Sequence, residues 1–321
     1  MTAKYLAITG GVGGAKLALG LTHLLGADAL AFVVNTGDDF EHLGWHVSPD
    51  IDTLTYTLAN LSNLDTGWGR RGETWHFIET LRTLGGETWF NLGDRDLALH
   101  ALRTARLREG ATLTTVTREL TTRLGIAHRL LPMTDAPVRT VVHTATGALA
   151  FQHYFVRDRC EPVVTGFSFA GAADARISSE VLRWLDDSAL AGVILCPSNP
   201  FVSIDPVLAV PGLRERLRAL PAPIVAVSPV VAGLALKGPT AKMMSELKVP
   251  QSAVAVAAHY VDILDGFILD HADAALLPRF EGSDLAAIAA PTVMVTLTDK
   301  IELARATLDL IHRLNADKKA H

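Results

Sequence analysis

The 321-residue chain has only two cysteines, Cys160 and Cys196, far apart and outside any CxxC spacing. That argues against a disulfide framework and against a thiolate zinc site, and it fits a reducing, cytoplasmic setting. No basic surplus is present either: 29 Lys and Arg stand against 34 Asp and Glu, a formal net charge of -5. A nucleic-acid partner is therefore not expected. The apolar run that begins at Val225 is broken by Pro229 and Gly233 and is too short for a membrane span. Ahead of the first apolar strand there is no basic region and after it no cleavage site, so neither export nor a membrane partner is expected. The twelve histidines form no HExxH motif, and no GxSxG elbow occurs. A zinc hydrolase and a covalent enzyme intermediate are not indicated.

What the chain does have is apolar bulk, 49% hydrophobic residues, enough for one α/β core over residues 1–321. Strand-length apolar runs at 5–9 and 29–35 flank a glycine turn and a helical stretch at 15–25, which predicts parallel βαβ units. Helical spacing then recurs at 53–61, 73–84, 96–106 and 113–124, predicting a helical lobe at about 53–130. A hairpin is expected at 139–156, turned at Thr146-Gly147. Further strands are expected at 192–196, 224–227, 266–269 and 292–297, helices at 253–264 and 300–314, and a frayed tail from 315 to 321. The expected fold is α/β, a Rossmann-like, mostly parallel sheet with a helical insertion lobe.

The chemistry concentrates near the start. Thr9-Gly10-Gly11-Val12-Gly13-Gly14-Ala15-Lys16 matches neither GxGxxG nor the Walker sequence, yet four glycines in five residues after a first strand exceed what packing requires. Gly10, Gly11, Gly13 and Gly14 are predicted to let backbone N–H groups close on a phosphate at a helix N-terminus. Lys16 is either a phosphate contact or a solvated helix residue. Gly37-Asp38-Asp39 and Ser48-Pro49-Asp50-Ile51-Asp52 follow. Singly, such aspartates cap turns and helices. Four together near a phosphate site would repel one another without a cation, which points to Asp38, Asp50 and Asp52 as ligands for Mg²⁺. In Gly93-Asp94-Arg95-Asp96 the arginine is either a structural ion pair with its flanking aspartates or a phosphate contact. Trp68, Trp75 and Trp89 are core aromatics or the walls of a site for a planar heterocycle. His42 and His46 read as polar loop residues.

These motifs, with Asn35-Thr36 before Gly37, Gly67-Trp68-Gly69, Leu131-Pro132-Met133, Phe151-Gln152, Pro197-Ser198-Asn199-Pro200 and Ser228-Pro229, run in order over nearly the whole chain. In this the sequence resembles the CofD-like 2-phospho-L-lactate transferases of coenzyme F420 biosynthesis. The resemblance implies two substrates, the guanosine diphosphate conjugate of a three-carbon acid and the deazaflavin Fo. It puts the conjugate at Gly10, Gly11, Gly13, Gly14, Ser198 and Asn199, and Fo under the helical lobe near Asp52, Asn91, Trp68 and Arg95. Asp52 and Asp50 become the catalytic residues, with Asp52 meeting the Fo hydroxyl as base or orienting acceptor and Mg²⁺ on Asp38, Asp50 and Asp52. The implied reaction moves the phospho-acid to the terminal ribityl hydroxyl of Fo and releases GMP, in a homodimer. One position departs from the pattern: some relatives carry lysine where this chain has Asn91, and an amide supplies hydrogen bonds but no charge. The acid stays open among 2-phospholactate, phosphoenolpyruvate and 3-phosphoglycerate. A competing expectation is a nucleotide-sugar-binding regulator of the same superfamily, without transfer chemistry. An NAD-dependent oxidoreductase would rest on fold analogy alone.

Overall fold

Continuous apolar runs become strands buried on both faces, and helices cover them. The computed structural model describes residues 2–63, 66–235 and 238–320. β1 (Lys4–Thr9) leads into α1 (Gly11–Thr22) and back to β2 (Leu30–Val34), which pairs parallel to β1 with Tyr5 opposite Leu30. A short hairpin, β3 (Phe40–His42) and β4 (Trp45–Val47), then delivers the chain to α2 (Pro49–Leu58). Three helices follow, α3 (His76–Thr83), α4 (Asp94–Arg108) and α5 (Leu113–Arg123), before β5 (Arg129–Pro132) joins the sheet beside β2. β6 (Arg139–Thr144) and β7 (Gly147–Ala150) form the expected hairpin, and β8 (Val164–Ala170) completes a small antiparallel sheet.

The chain returns through α6 (Ser179–Leu185) to β9 (Leu190–Leu195), α7 (Asp205–Leu208), α8 (Leu213–Arg218) and β10 (Ile224–Val227). After the two-rung pair β11 (Val230–Val231) and β12 (Leu234–Ala235) come α9 (Thr240–Glu246), α10 (Ala253–His259), β13 (Gly266–Asp270), β14 (Ala286–Ala290) and α11 (Leu297–Ala320). The seven-stranded parallel sheet has the order β14-β13-β10-β9-β1-β2-β5. Strand order reverses between β1 and β9, so the loops after these two strands flank the crevice where open α/β sheets take ligands. One core lies on each face of the sheet, with α1 and α11 over the side that holds Leu17, Phe32 and Ile311. No helix among the described residues is long and apolar enough to cross a membrane.

Four expectations about elements need correction. The glycine cluster is not a turn ahead of a helix but its first turn, since α1 begins at Gly11. Asp50 and Asp52 likewise sit inside the first turn of α2, behind Ser48 at the N-cap and Pro49, where acidic side chains favour the helix dipole. The strand expected at 292–297 is a loop, and β14 lies just before it. There the Thr292 N–H and hydroxyl both donate to Asp270, while the Val295 and Thr296 N–H groups donate to Asp299, so the segment has no ladder to join. The tail is helical to Ala320, tied back by Asn315 to the Ala191 carbonyl at 2.7 Å and by Lys318 to Asp265 at 2.8 Å. His321 lies outside the described residues.

Candidate active site

At the switch point the first turn of α1 and the loop after β9 lock together. The Ser198 hydroxyl donates to the Gly10 carbonyl at 2.8 Å and accepts the Gly10 N–H at 3.2 Å. A Cβ on Gly13 would collide with the Pro197 carbonyl oxygen. Gly11 instead faces open space at φ +65°, a backbone that glycine tolerates best. The cluster thus divides its work: Gly13 permits close packing, and Gly11, whose N–H is given to Asp50, keeps side-chain bulk away from the helix end. Gly13→Ala is expected to cost roughly 1–3 kcal/mol as the Pro197 loop is pushed away. A urea midpoint equal to that of the wild type would contradict this. Lys16 does not project into the crevice as a free cation, because its ammonium donates to the Met294 carbonyl at 2.8 Å. Asn199 accepts from the Phe201 N–H at 3.0 Å and donates to Met243 Sδ at 3.3 Å, so it caps the short helical turn Pro200–Ile204.

Across the crevice stand the aspartates. Asp50 accepts the Gly11 N–H at 2.7 Å and the Asn35 amide at 2.9 Å. Asn35, quoted in the sequence only as the start of the motif that runs to Asp39, clamps three segments: it also donates to the Val202 carbonyl at 3.1 Å and accepts the Gly37 N–H at 2.8 Å. Burial pushes Asp50 up to about 6, against these two donors and with the Asp39 charge adding to the rise. Burial likewise lifts Asp38 well above the usual carboxylate range, helped by the charges of Asp50 and Asp39. Asp39 spends one oxygen on Ser48 at 2.9 Å and His46 at 3.0 Å. One oxygen each of Asp38 and Asp39, and the Thr36 hydroxyl, remain buried without a partner among the described residues. Orphaned, mutually repelling carboxylate oxygens beside a helix N-terminus are the donor set a hard divalent cation fits.

Asp52 points elsewhere. Both its oxygens meet the guanidinium of Arg103 on α4, one of them at 3.1 Å, and Arg103 is 1% exposed. Burial opposes the charge on Arg103, but the Asp52 carboxylate holds its pKa above the ordinary value. His100 Nδ1 lies 3.6 Å from Asp52, and His100 Nε2 lies 3.4 Å from Asp96. Asp52, Asp96 and His100 offer ligand atoms within 4.8 Å of one another. The Arg103 fork already fills the Asp52 side of that group, which makes it the weaker of the two cation sites. Asp38 and Asp50 are thus coupled to each other, whereas Asp52, expected with them, is turned toward α4.

The residues expected to meet a planar substrate are spread along the outer rim. Trp68 is 58% exposed, and Asn91 and Arg95 are also exposed. Arg95 is not a structural ion pair with its neighbours. Asp94 caps α3 by accepting from Thr74, His76 and Phe77, and Asp96 accepts the Tyr56 hydroxyl. Nearer the carboxylates is an aromatic nest that the sequence did not reveal. Trp89 meets Phe40, His42, Phe90 and His153 with ring centroids 6.0, 5.0, 5.8 and 4.8 Å apart. His42 is no solvated loop residue: it is 3% exposed, its Nε2 has no partner among the described residues, and burial lowers its pKa. The Trp89-Phe90 pair just before Asn91, with Phe40 and His42 on one face of β3, was the available signal. A separate cleft of about 430 Å³ lies at the amino ends of the strands, lined by Lys4, Arg129, Glu180 and Trp184. Its charges are spent on one another, Glu180 pairing with Arg118, Arg129 and Arg183.

A family model described as 2-phospho-L-lactate transferase CofD matches residues 6–289. A phosphoenolpyruvate transferase from Kitasatospora aureofaciens is 37% identical over 97% of this chain and 98% of its own length. A 2-phospho-L-lactate transferase from Methanosarcina mazei is also 37% identical, over 92% of this chain and 96% of its own. Among solved structures, a member of the UPF0052 family from Bacillus halodurans superposes with a TM-score of 0.62 at 14% identity, covering 96% of this chain and 99% of that one. At that identity the likeness speaks for the fold alone.

Proposed function

Because the chain belongs to the 2-phospho-L-lactate transferase CofD family, and is a phosphotransferase of that type, we propose that it moves a phospho-three-carbon-acid group from its guanosine diphosphate conjugate to the ribityl hydroxyl of the deazaflavin Fo. The hydroxyl oxygen attacks the phosphorus next to the acid and gives up its proton to water, the bond from that phosphorus to the GMP oxygen breaks, and GMP leaves with the electron pair. A phosphodiester remains. The observation that carries the reading is the set of orphaned carboxylate oxygens at Asp38 and Asp39 beside Asp50, which itself holds the first N–H of α1. The N–H groups of that helix end beyond Gly11, whose own N–H is held by Asp50, take the diphosphate, with Gly10, Gly11, Gly13, Gly14, Ser198 and Asn199 shaping the loop pair around it. Asp38 and Asp50, with Asp39 beside them, would hold Mg²⁺, which supplies charge neutralisation of the diphosphate and of the leaving group. Asp52, gripped by Arg103, orients the acceptor hydroxyl as a hydrogen-bond acceptor, a role for which a fixed carboxylate is better suited than proton abstraction. The Trp89 nest offers the flat wall a deazaflavin needs, and Asn91, Arg95 and Trp68 form the polar and aromatic rim of a helical lobe over it. Relatives named for phosphoenolpyruvate and for 2-phospho-L-lactate are equally similar, so both acids are candidates, with 3-phosphoglycerate as a third. A homodimer in the cytoplasm completes the proposal.

GMP is expected to appear only when conjugate, Fo and Mg²⁺ are all present. Release without Fo would mean hydrolysis and would overturn the transfer reading. The pocket also predicts a pH signature. Burial pushes Asp50 up to about 6 in the folded protein, above its ordinary value of 3.8. Between those values the folded state holds a proton that the unfolded chain has released, so stability falls as pH rises through this window. Mg²⁺ binds the ionised carboxylates, so it is expected to raise Tm more at pH 7.5 than at pH 5, read by thermal melts. An equal shift at both pH values would contradict the assignment.

A further inference from the structure

Among the described residues, Arg103 heads the large side chains that are almost wholly removed from solvent. Burying a guanidinium costs several kcal/mol that a pair with one carboxylate does not reliably repay, and an apolar side chain would hold two helices together as well. The surroundings explain its presence better than stability does. α2 contributes Asp52 and Tyr56, one turn apart. α4 contributes Asp96, His100 and Arg103, a stripe along one face. Arg103 grips Asp52 and reaches the His100 ring at 3.3 Å and the His46 carbonyl at 3.4 Å. His100 faces Asp52 on one side and Asp96 on the other, and the Tyr56 hydroxyl donates to Asp96. The result is a ring of polar side chains between two helices, hydrogen-bonded from Asp52 through Arg103 to His100 and from Tyr56 to Asp96, with His100 Nε2 3.4 Å from Asp96.

Directional bonds of this kind fix rotation and axial register, whereas apolar contacts permit a helix to slip. The register matters here because the first turn of α2 carries Asp50 and the first turn of α4 carries Arg95, with Asn91 just before it. The Arg95 and Asp96 N–H groups are fastened to Glu73 at 2.8 and 2.9 Å, so a shift of α4 moves the whole rim.

We propose that the ring of Asp52, Tyr56, Asp96, His100 and Arg103 sets the acceptor side of the site against the carboxylate pocket, with Arg103 as the positioning residue at its centre. The inference rests on the transfer reading for its kinetic test but not for its structural one. Arg103→Lys keeps the charge and loses the fork, and Tyr56→Phe removes one hydroxyl from the ring. Turnover at saturating donor is expected to fall on the order of 10²-fold in Arg103→Lys and about tenfold in Tyr56→Phe. KM for the acceptor should rise, and the Kd for GDP should stay within about twofold, since among the described residues no side chain of the ring hydrogen-bonds to the glycine loop or the Ser198 loop. Hydrogen exchange in both variants should quicken in α4 and remain unchanged in α1 and the central sheet. Donor affinity that falls in step with turnover, or exchange that quickens evenly along the chain, would overturn the proposal. A wild-type protein with no turnover would sink the transfer reading, and the exchange pattern would still decide whether the ring holds α4.

Discussion

Asp38→Asn is expected to raise the thermal stability of the metal-free protein while reducing transfer on the order of 10³-fold, the loss of several kcal/mol of charge stabilisation. The two effects have one cause. Asp38 is buried, one of its oxygens has no partner among the described residues, and the charges of Asp50 and Asp39 press on it. Ionised there without a cation, it opposes folding; an amide of the same shape removes the repulsion and can donate to a neighbouring carboxylate. Tm is therefore predicted to rise by a few degrees. The same change deletes a hard anionic ligand, so the Mg²⁺-induced rise in Tm should shrink together with turnover. A group that costs stability and persists is the mark of a site built for something else. A lower Tm with turnover intact would mean that Asp38 only braces the turn after β2.

Asp52→Ala is expected to have the largest effect on folding, about 3–5 kcal/mol, because it leaves the Arg103 charge buried and unpaired. Asp52 was expected to be a base or an orienting acceptor, and the structure gives both of its oxygens to one guanidinium. Asp52→Asn retains a single acceptor for the fork and should lose less stability than the alanine variant. Urea unfolding separates the cases. If Asp52→Ala keeps the wild-type midpoint and loses turnover, the ion pair is dispensable and the carboxylate acts on the substrate alone.

Parallel strands between two helical layers read as unbroken apolar runs, which is why β1, β2, β9, β10 and β13 were legible. β14 was not: Ala286-Ala287-Ile288-Ala289-Ala290 has a single β-branched side chain among four alanines, while the β-rich stretch after it gives its N–H groups to Asp270 and Asp299. Local motifs located the helix end of α1, Asp38 and Asp50, since glycines and acidic turns act through nearby backbone. What spacing hides is a partner far along the chain. Arg103 lies 51 residues beyond Asp52, and no local pattern announces the pair. The tryptophans show the same limit. Glycines flank Trp68 and leave it at the surface, whereas Trp89, with no motif around it, is gathered against Phe40, His42 and His153 by the hairpin after the acidic turn.

The central claim is a transfer between two bound substrates, and the mass of the deazaflavin after reaction tests it most directly. Purified protein would be incubated with Fo, Mg²⁺ and in turn the guanosine diphosphate conjugates of 2-phospholactate, phosphoenolpyruvate and 3-phosphoglycerate. The account predicts that Fo gains the mass of one phospho-acid with at least one donor, in step with GMP. Unchanged Fo with all three donors, from protein that still binds guanine nucleotide, would contradict it and favour a nucleotide-binding regulator.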